Sequence, residues 1–188
     1  MKRLHDISLI RTGYNFRSIA NTARQLVFLV SAKDLNSNFT DLDEIKIPSS
    51  YGNFLQDGDI LVKSRGANYE AKVFHKPKST DQPYVAANTL IIISTTDKNY
   101  KPSYIAQIIN SDETQQLLRS LSSGHTVPIL SPSSLGSLQC PEISLEKQEQ
   151  FETIAKIIDD YQSTVAQYQK AADNLIKALK TKLMKGVI

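Results

Sequence analysis

The chain has 188 residues, 40% of them hydrophobic and 22% charged, with a formal net charge of +3. These values fit one ordinary domain with an extension, or two very small domains, and they exclude a chain that is mainly disordered. No stretch approaches the ~20 apolar residues of a membrane span, the basic opening MKRLHDISLI does not have the form of a signal peptide, and the single cysteine, Cys140, excludes an internal disulfide and a cysteine-based zinc site, so a cytoplasmic protein is expected.

Up to about residue 140 the pattern is mixed, and the fold class expected is α+β. DISLI (6–10), VFLVSA (27–32) and DILVKS (59–64) are short or alternating apolar runs rich in β-branched residues, which predicts strands. RSIANTARQ (17–25) predicts a helix or turn before the second of them. AKVFH (71–75) and TLIIIST (89–95) are further strand candidates, and the second is apolar enough to lie mid-sheet, buried on both faces. In 102–123, Ile105, Ile108, Ile109, Leu117, Leu118 and Leu121 recur at helical spacing, which predicts one or two helices ended by Gly124. VPIL (127–130) predicts a short strand, and SPSSLGSLQCPEIS (131–144) a Ser/Pro/Gly-rich connection.

From Ser144 the character changes. Ser144 is placed to cap a helix, with Glu146 and Glu149 in its first turns, and no Pro or Gly follows until Gly186. Ile154, Ile158, Tyr161, Val165, Tyr168, Ala172, Leu175 and Leu179 step by 4 and 3 alternately, a heptad seam. A helix of about forty residues would be roughly 60 Å long. A stripe of that length needs another helix to cover it. Residues 141–160 carry net −4 and residues 161–188 net +4. Part of that asymmetry suits the helix dipole, but antiparallel pairing of two copies also sets each acidic half against a basic one. The expectation is a globular domain, 1–140, followed by a long coiled-coil helix, 141–188, that pairs as an antiparallel homodimer. The alternatives are a helix folded back on its own domain or against a different protein.

No motif supports catalysis. DQPY (81–84) has a weak likeness to the base-gripping motif of amino-methyltransferases, but Gln82 stands where a proline belongs and no Gly-rich methyl-donor loop exists; a polar loop leading into a strand is the simpler reading. His5, His75 and His125 lack metal spacing, Asp57 and Asp59 read as a turn, Asp159 and Asp160 as a solvated helix face, and Cys140 as a packed thiol. No cofactor or metal is implied. The most informative feature is a charge cluster: Lys63, Arg65, Lys72, Lys76 and Lys78 against Glu70, net +4 over residues 63–78. RTGYNFR (11–17) and KSRGANY (63–69) share the same ingredients, cations with Asn, Tyr and Gly. Lys and Arg suit phosphates, while Arg and Asn suit guanine and adenine edges. The candidate DNA contacts are therefore Arg11, Tyr14, Asn15, Arg17, Lys63, Arg65, Tyr69, Lys72, Lys76 and Lys78, with Arg65 first for a base. Ser123 and His125 lie in a polar turn that either faces DNA or caps the preceding helix.

LQDGDILVKSRG (55–66) resembles a stretch of the DNA-specificity (S) subunits of type I restriction–modification systems, where a GDIL strand leads to a basic residue and RG. GHTVPILSPSSLGSLQCPEISLEKQEQFETI (124–154) is similar to that family's passage from target recognition domain into helical spacer; DISLIRTG (6–13) and ALKTKLMKG (178–186) resemble its usual opening and close. A typical S subunit has two recognition domains and two spacers, whereas this sequence has one of each and resembles half a subunit. The resemblance implies a non-catalytic protein that reads double-stranded DNA, holds a methyltransferase (M) and a restriction (R) subunit, and, as a symmetric dimer, recognises a bipartite target with inverted, identical halves. Three rivals stand beside it: a coiled-coil interaction adaptor without sequence-specific DNA binding, a dimeric transcription regulator, for which no helix-turn-helix pattern exists, and an enzyme.

Overall fold

The structure, a computed structural model, describes residues 1–15, 24–36, 39, 42–77, 81–124 and 126–184. The chain divides into two compact units, Met1–Gln148 and Glu149–Ile188. The first mixes α and β. In chain order it contains β1 (Lys2–Arg3), α1 (Leu4–Ile7), β2 (Ser8–Thr12), β3 (Arg24–Val30), a 3-10 turn (Ala32–Asn36), β4 (Asp43–Pro48), β5 (Ile60–Lys63), β6 (Ala71–Val73), β7 (Tyr84–Ala86), β8 (Leu90–Thr95), α2 (Pro102–Asn110), α3 (Asp112–Leu121), α4 (Pro132–Gly136) and β9 (Gln139–Cys140). The last helix, α5 (Leu145–Met184), starts in this unit and runs through the second.

The main sheet has the order β2-β8-β5-β6 with every neighbour antiparallel. β8 is one of its two inner strands, and Leu90, Ile91, Ile92 and Ile93 are fully buried. Strand side chains alternate between faces, so this one apolar run feeds two cores. Ile91 and Ile93 join Ile60, Val62, Tyr69, Ile105 and Ile109 under α2 and α3. Leu90 and Ile92 join Leu61, Phe74, Tyr84 and Phe39 on the other side. A second sheet, β4-β3-β7, pairs β3 antiparallel with β4 and parallel with β7. β1 pairs with β9, which brings the start of the unit to its end.

Several elements differ from the sequence pattern. Asp6 and Ile7 of DISLI lie in the helical turn α1, because Leu4 and Ile7 both reach the core there; the strand begins at Ser8. The apolar run at 102–121 is broken into two helices at Ser111, whose extended backbone lets its Oγ accept the Thr114 N–H at 3.4 Å. α3 ends at Leu121, ahead of Gly124, which instead turns the chain between Ser123 and Ile129 at φ +107°. VPIL is not a strand; Ile129 makes isolated bridges to Ser123 and Arg65. The 131–144 connection contains α4 and β9, with the Ser131 Oγ capping α4 by accepting the Ser134 N–H at 3.0 Å. RSIANTARQ falls outside the described residues up to position 23, and Arg24 and Gln25 belong to β3.

Ser144 caps α5, its Oγ accepting the Lys147 N–H at 3.4 Å and its carbonyl the Gln148 N–H at 3.0 Å. The Gln148 side chain is fully buried. It accepts the Lys101 N–H at 2.8 Å and donates to the carbonyls of Asn99 (2.7 Å) and Ile143 (3.0 Å), fixing the first turn of the helix.

Cys140 is buried, and burial pushes its thiol from an ordinary 9.0 up to about 11. The unfolded state therefore ionises first, and folding stability falls as the pH rises between 9.0 and about 11. At pH 8 the native thiolate fraction is on the order of one in a thousand. A disulfide reagent assayed at that pH is expected to label the native protein at least ~10-fold more slowly than the protein in denaturant; equal rates would place the thiol at the surface.

Candidate nucleic-acid interface

β2 and β5 both run antiparallel to β8, so they are parallel to each other. Thr12 pairs with Ile91 and Lys63 with Leu90, and the loops after both strands leave from the Leu90 end of β8. The turn at 87–89 lies between these loops. Asn88 donates its N–H to the Tyr14 carbonyl at 3.0 Å, and Ser64 donates to the Thr89 carbonyl at 3.0 Å. Gly13 is required by this contact: a Cβ there would sit 2.1 Å from the Ala87 carbonyl oxygen. A third loop, 122–130, packs on the second. Leu130 donates to the Ser64 carbonyl at 2.8 Å, and Gly66 donates to the Pro128 carbonyl at 3.1 Å. Gly66 makes its turn at φ +110°, a region that favours glycine.

The candidate residues divide sharply on this scaffold. Arg65 is exposed at the loop end and makes no ion pair among the described residues. Asn15 is exposed on the neighbouring loop, and Tyr14 packs edge-on against Tyr51 with ring centroids 4.9 Å apart. Four other candidates, Arg11, Lys63, Tyr69 and Lys72, are structural. Arg11 is a strut: its guanidinium donates to the buried Asp59 carboxylate at 2.8 Å and to Ser94. Lys63 is held by Glu70 at 2.6 Å. Tyr69 is fully buried in the core and has no face to offer a base. Lys72 donates to the Leu35 carbonyl at 2.7 Å and lies over the Phe39 ring. Lys76 is exposed beyond β6, away from the loop end, with its backbone N–H on Asp57 at 2.8 Å. Arg17, Lys78 and His125 lie outside the described residues.

Sequence reasoning missed the support beneath the loop. β6 is the edge of the main sheet, and side chains replace the absent next strand. Asn110 accepts the Ala71 N–H and donates to the Ala71 carbonyl, both at 2.8 Å. Gln115 accepts the Tyr69 N–H at 2.9 Å and donates to the Tyr69 carbonyl at 3.1 Å and the Ile109 carbonyl at 2.8 Å. One helical turn on, Arg119 lies 3.5 Å from the Ala67 carbonyl and from the Asn68 Oδ1. These residues, with Lys63, Glu70 and Asp112, line a cleft of about 370 Å³. The only signal available was the polar residues at 110, 115 and 119, and nothing in their spacing names the strand they would meet.

Arranged so, the three loops offer an open polar surface with the exposed Arg65 guanidinium on it. Among solved structures, the fold matches the HsdS subunit from Thermoanaerobacter tengcongensis with a TM-score of 0.61 at 16% identity, over 87% of this chain and 43% of that one. It matches a chain of a type I restriction–modification system, solved for its complex assembly and conformational transition, with a TM-score of 0.63 at 14% identity, over 94% of this chain and 42% of that one. The type I restriction–modification S subunit from M. genitalium matches with a TM-score of 0.52 at 11% identity, over 88% and 40%. The chain thus has the fold of type I specificity subunits and spans about two fifths of the length of those chains. No family model matches the sequence, and no curated protein matches it.

The division between strut and loop residues is measurable. Arg11→Ala leaves the nearly inaccessible Asp59 carboxylate unpaired and is expected to lower unfolding stability by about 3 kcal/mol in urea titrations. Arg65→Ala is expected to change it by less than ~0.5 kcal/mol. Equal losses would mean that Arg65 is also a strut.

Proposed function

We propose that this chain is a DNA-recognition subunit of a type I restriction–modification complex. It reads one half of a bipartite double-stranded target with the loops at the Leu90 end of β8. It directs methyltransferase and restriction subunits to that target and performs no chemistry itself. The observation that carries this reading is the fold match over 87–94% of the chain to specificity-subunit structures. The exposed Arg65 guanidinium on this open loop surface agrees with it, with Arg65 as the first base contact and Asn15 beside it.

In this reading residues 1–140 are the recognition domain and 141–188 the helical spacer, working in the cytoplasm. Among the described residues, no helix is long and apolar enough to cross a membrane. The seam positions Ile154, Ile158, Tyr161, Val165, Tyr168, Ala172, Leu175 and Leu179 are all exposed on α5, with Phe151 extending the series at its start. Exposed apolar surface on this scale marks an interaction site. Two copies pair through it in antiparallel orientation, because the net −4 of residues 141–160 then faces the net +4 of 161–188.

The test is co-expression with the methyltransferase encoded nearest to it, followed by mapping of methylated bases in host DNA. A split palindromic motif that vanishes on deletion of residues 145–188 is expected. A soluble, dimeric protein that creates no motif would favour the coiled-coil adaptor instead. Pairing is checked separately: Ile158→Lys with Val165→Lys is expected to weaken the dimer at least ~100-fold in sedimentation equilibrium, and an unchanged dimer would move the seam elsewhere.

A further inference from the structure

The side chains that hold the edge of β6 form a graded series. Asn110 grips residue 71, Gln115 grips residue 69, and Arg119 reaches residues 67 and 68. Gln115 is buried and makes three hydrogen bonds at 2.8–3.1 Å. Arg119 is exposed and its contacts are loose, at 3.5 Å. The series therefore passes from a fixed anchor to a replaceable contact within one turn of α3.

Asn68 stands at the same point of the loop. It is exposed, and its neighbour Tyr69 is pinned through both backbone polar groups. A recognition side chain needs this combination: a free head group on a rigid base. Its Oδ1 meets Arg119 at the hydrogen-bond limit, and both residues are exposed, with no other side-chain hydrogen bond of theirs beyond that of Arg119 to the Ala67 carbonyl among the described residues. An amide offers the donor and acceptor that match adenine N7 and N6, and a guanidinium the two donors that match guanine O6 and N7. The two head groups meet at a nearest-atom distance of 3.5 Å, so both can reach neighbouring base pairs, which are ~3.4 Å apart along the duplex.

We infer that Asn68 and Arg119 are a base-reading pair, Asn68 on an adenine and Arg119 on a guanine at the adjacent base pair, with Gln115 and Asn110 as the positioning residues that hold them. The inference rests on the reading of the chain as a DNA-recognition subunit. It adds to Arg65 a second set of specificity-determining residues, on the other flank of the same loop.

The experiment uses the full chain co-expressed with the nearest methyltransferase, and maps the methylated motif for the unaltered protein, Asn68→Ala and Arg119→Ala. Each substitution is expected to relax one motif position, an A for Asn68 and a neighbouring G for Arg119, by roughly 5- to 150-fold in preference. Melting temperatures are expected to be unchanged, which separates lost reading from lost folding. A motif retained in full by both variants overturns this inference and leaves the recognition-subunit reading intact. Uniform loss of methylation at every site, with unchanged melting, identifies phosphate contacts and also overturns it. No motif from the unaltered protein overturns both.

Discussion

The fold turns on one buried carboxylate. Asp59 is 3% exposed, and its two oxygens accept from the Arg11 guanidinium, the Ser94 hydroxyl and the Gln56 N–H. Its carbonyl accepts the Phe74 N–H at 2.7 Å. Arg11 is on β2, Ser94 on β8, Asp59 leads into β5 and Phe74 follows β6, so one residue touches all four strands of the main sheet. A charge at that depth is tolerated only when it is paired and its remaining lone pairs are filled. Each strand that moved would break a bond to a group that cannot reach water. The node thus specifies register as well as contact.

Its position matters for the loops. The node lies toward the Thr95 end of β8, and the candidate surface lies at the Leu90 end. Between them β8 is fully buried from Leu90 to Ile93, with a core on each face. A sheet clamped at one end and packed on both sides transmits little motion, so the loops at the far end need few bonds of their own. Those bonds are mostly backbone: Asn88 to Tyr14, Ser64 to Thr89, Gly66 to Pro128. Side chains such as Arg65 and Asn68 are left over. At the open edge of β6, where backbone partners are lacking, Asn110 and Gln115 supply them. Without those amides, the backbone polar groups of the buried Tyr69 and Ala71 would be unpaired, at ~1–3 kcal/mol each.

Much of this was legible in the sequence where a single period decides. TLIIIST reads as a strand in the middle of a sheet, DILVKS and AKVFH as strands, and 102–121 as helical, because apolar spacing alone fixes which faces are covered. The failures have a common physical cause. β4 (Asp43–Pro48) is mostly exposed and β7 (Tyr84–Ala86) has three residues, so neither shows a strand-length apolar run, and both are placed by pairing with β3. VPIL has a strand's composition, but only Ile129 finds a partner. The charge cluster overstated how many of its cations are free, since Lys63 and Lys72 are held by neighbours. A sequence shows a cation and not its counter-ion, so Arg11, Lys63 and Lys72 looked as free as Arg65. Tyr69 stands among the candidate DNA contacts because its loop is basic, but the period of β6 continues into it and turns its ring inward.

That division also accounts for a fold shared at only 11–16% identity with its structural neighbours. The scaffold's demands are coarse: an alternating apolar β8, two apolar-faced helices, caps at Ser111, Ser131 and Ser144, and a glycine where the Gly13 backbone meets Ala87. Cores accept many side chains of suitable volume, so such demands leave most of the sequence open. The loops are constrained by what they bind and not by the core beneath them. A protein whose task is to recognise one sequence among many would change first at residues such as Arg65, Asn68 and Arg119, which nothing in the fold requires. Fold likeness without sequence likeness is then the expected outcome of the coarse demands of a clamped sheet, and exposed residues such as Arg65, Asn68 and Arg119 are those that say least about the fold.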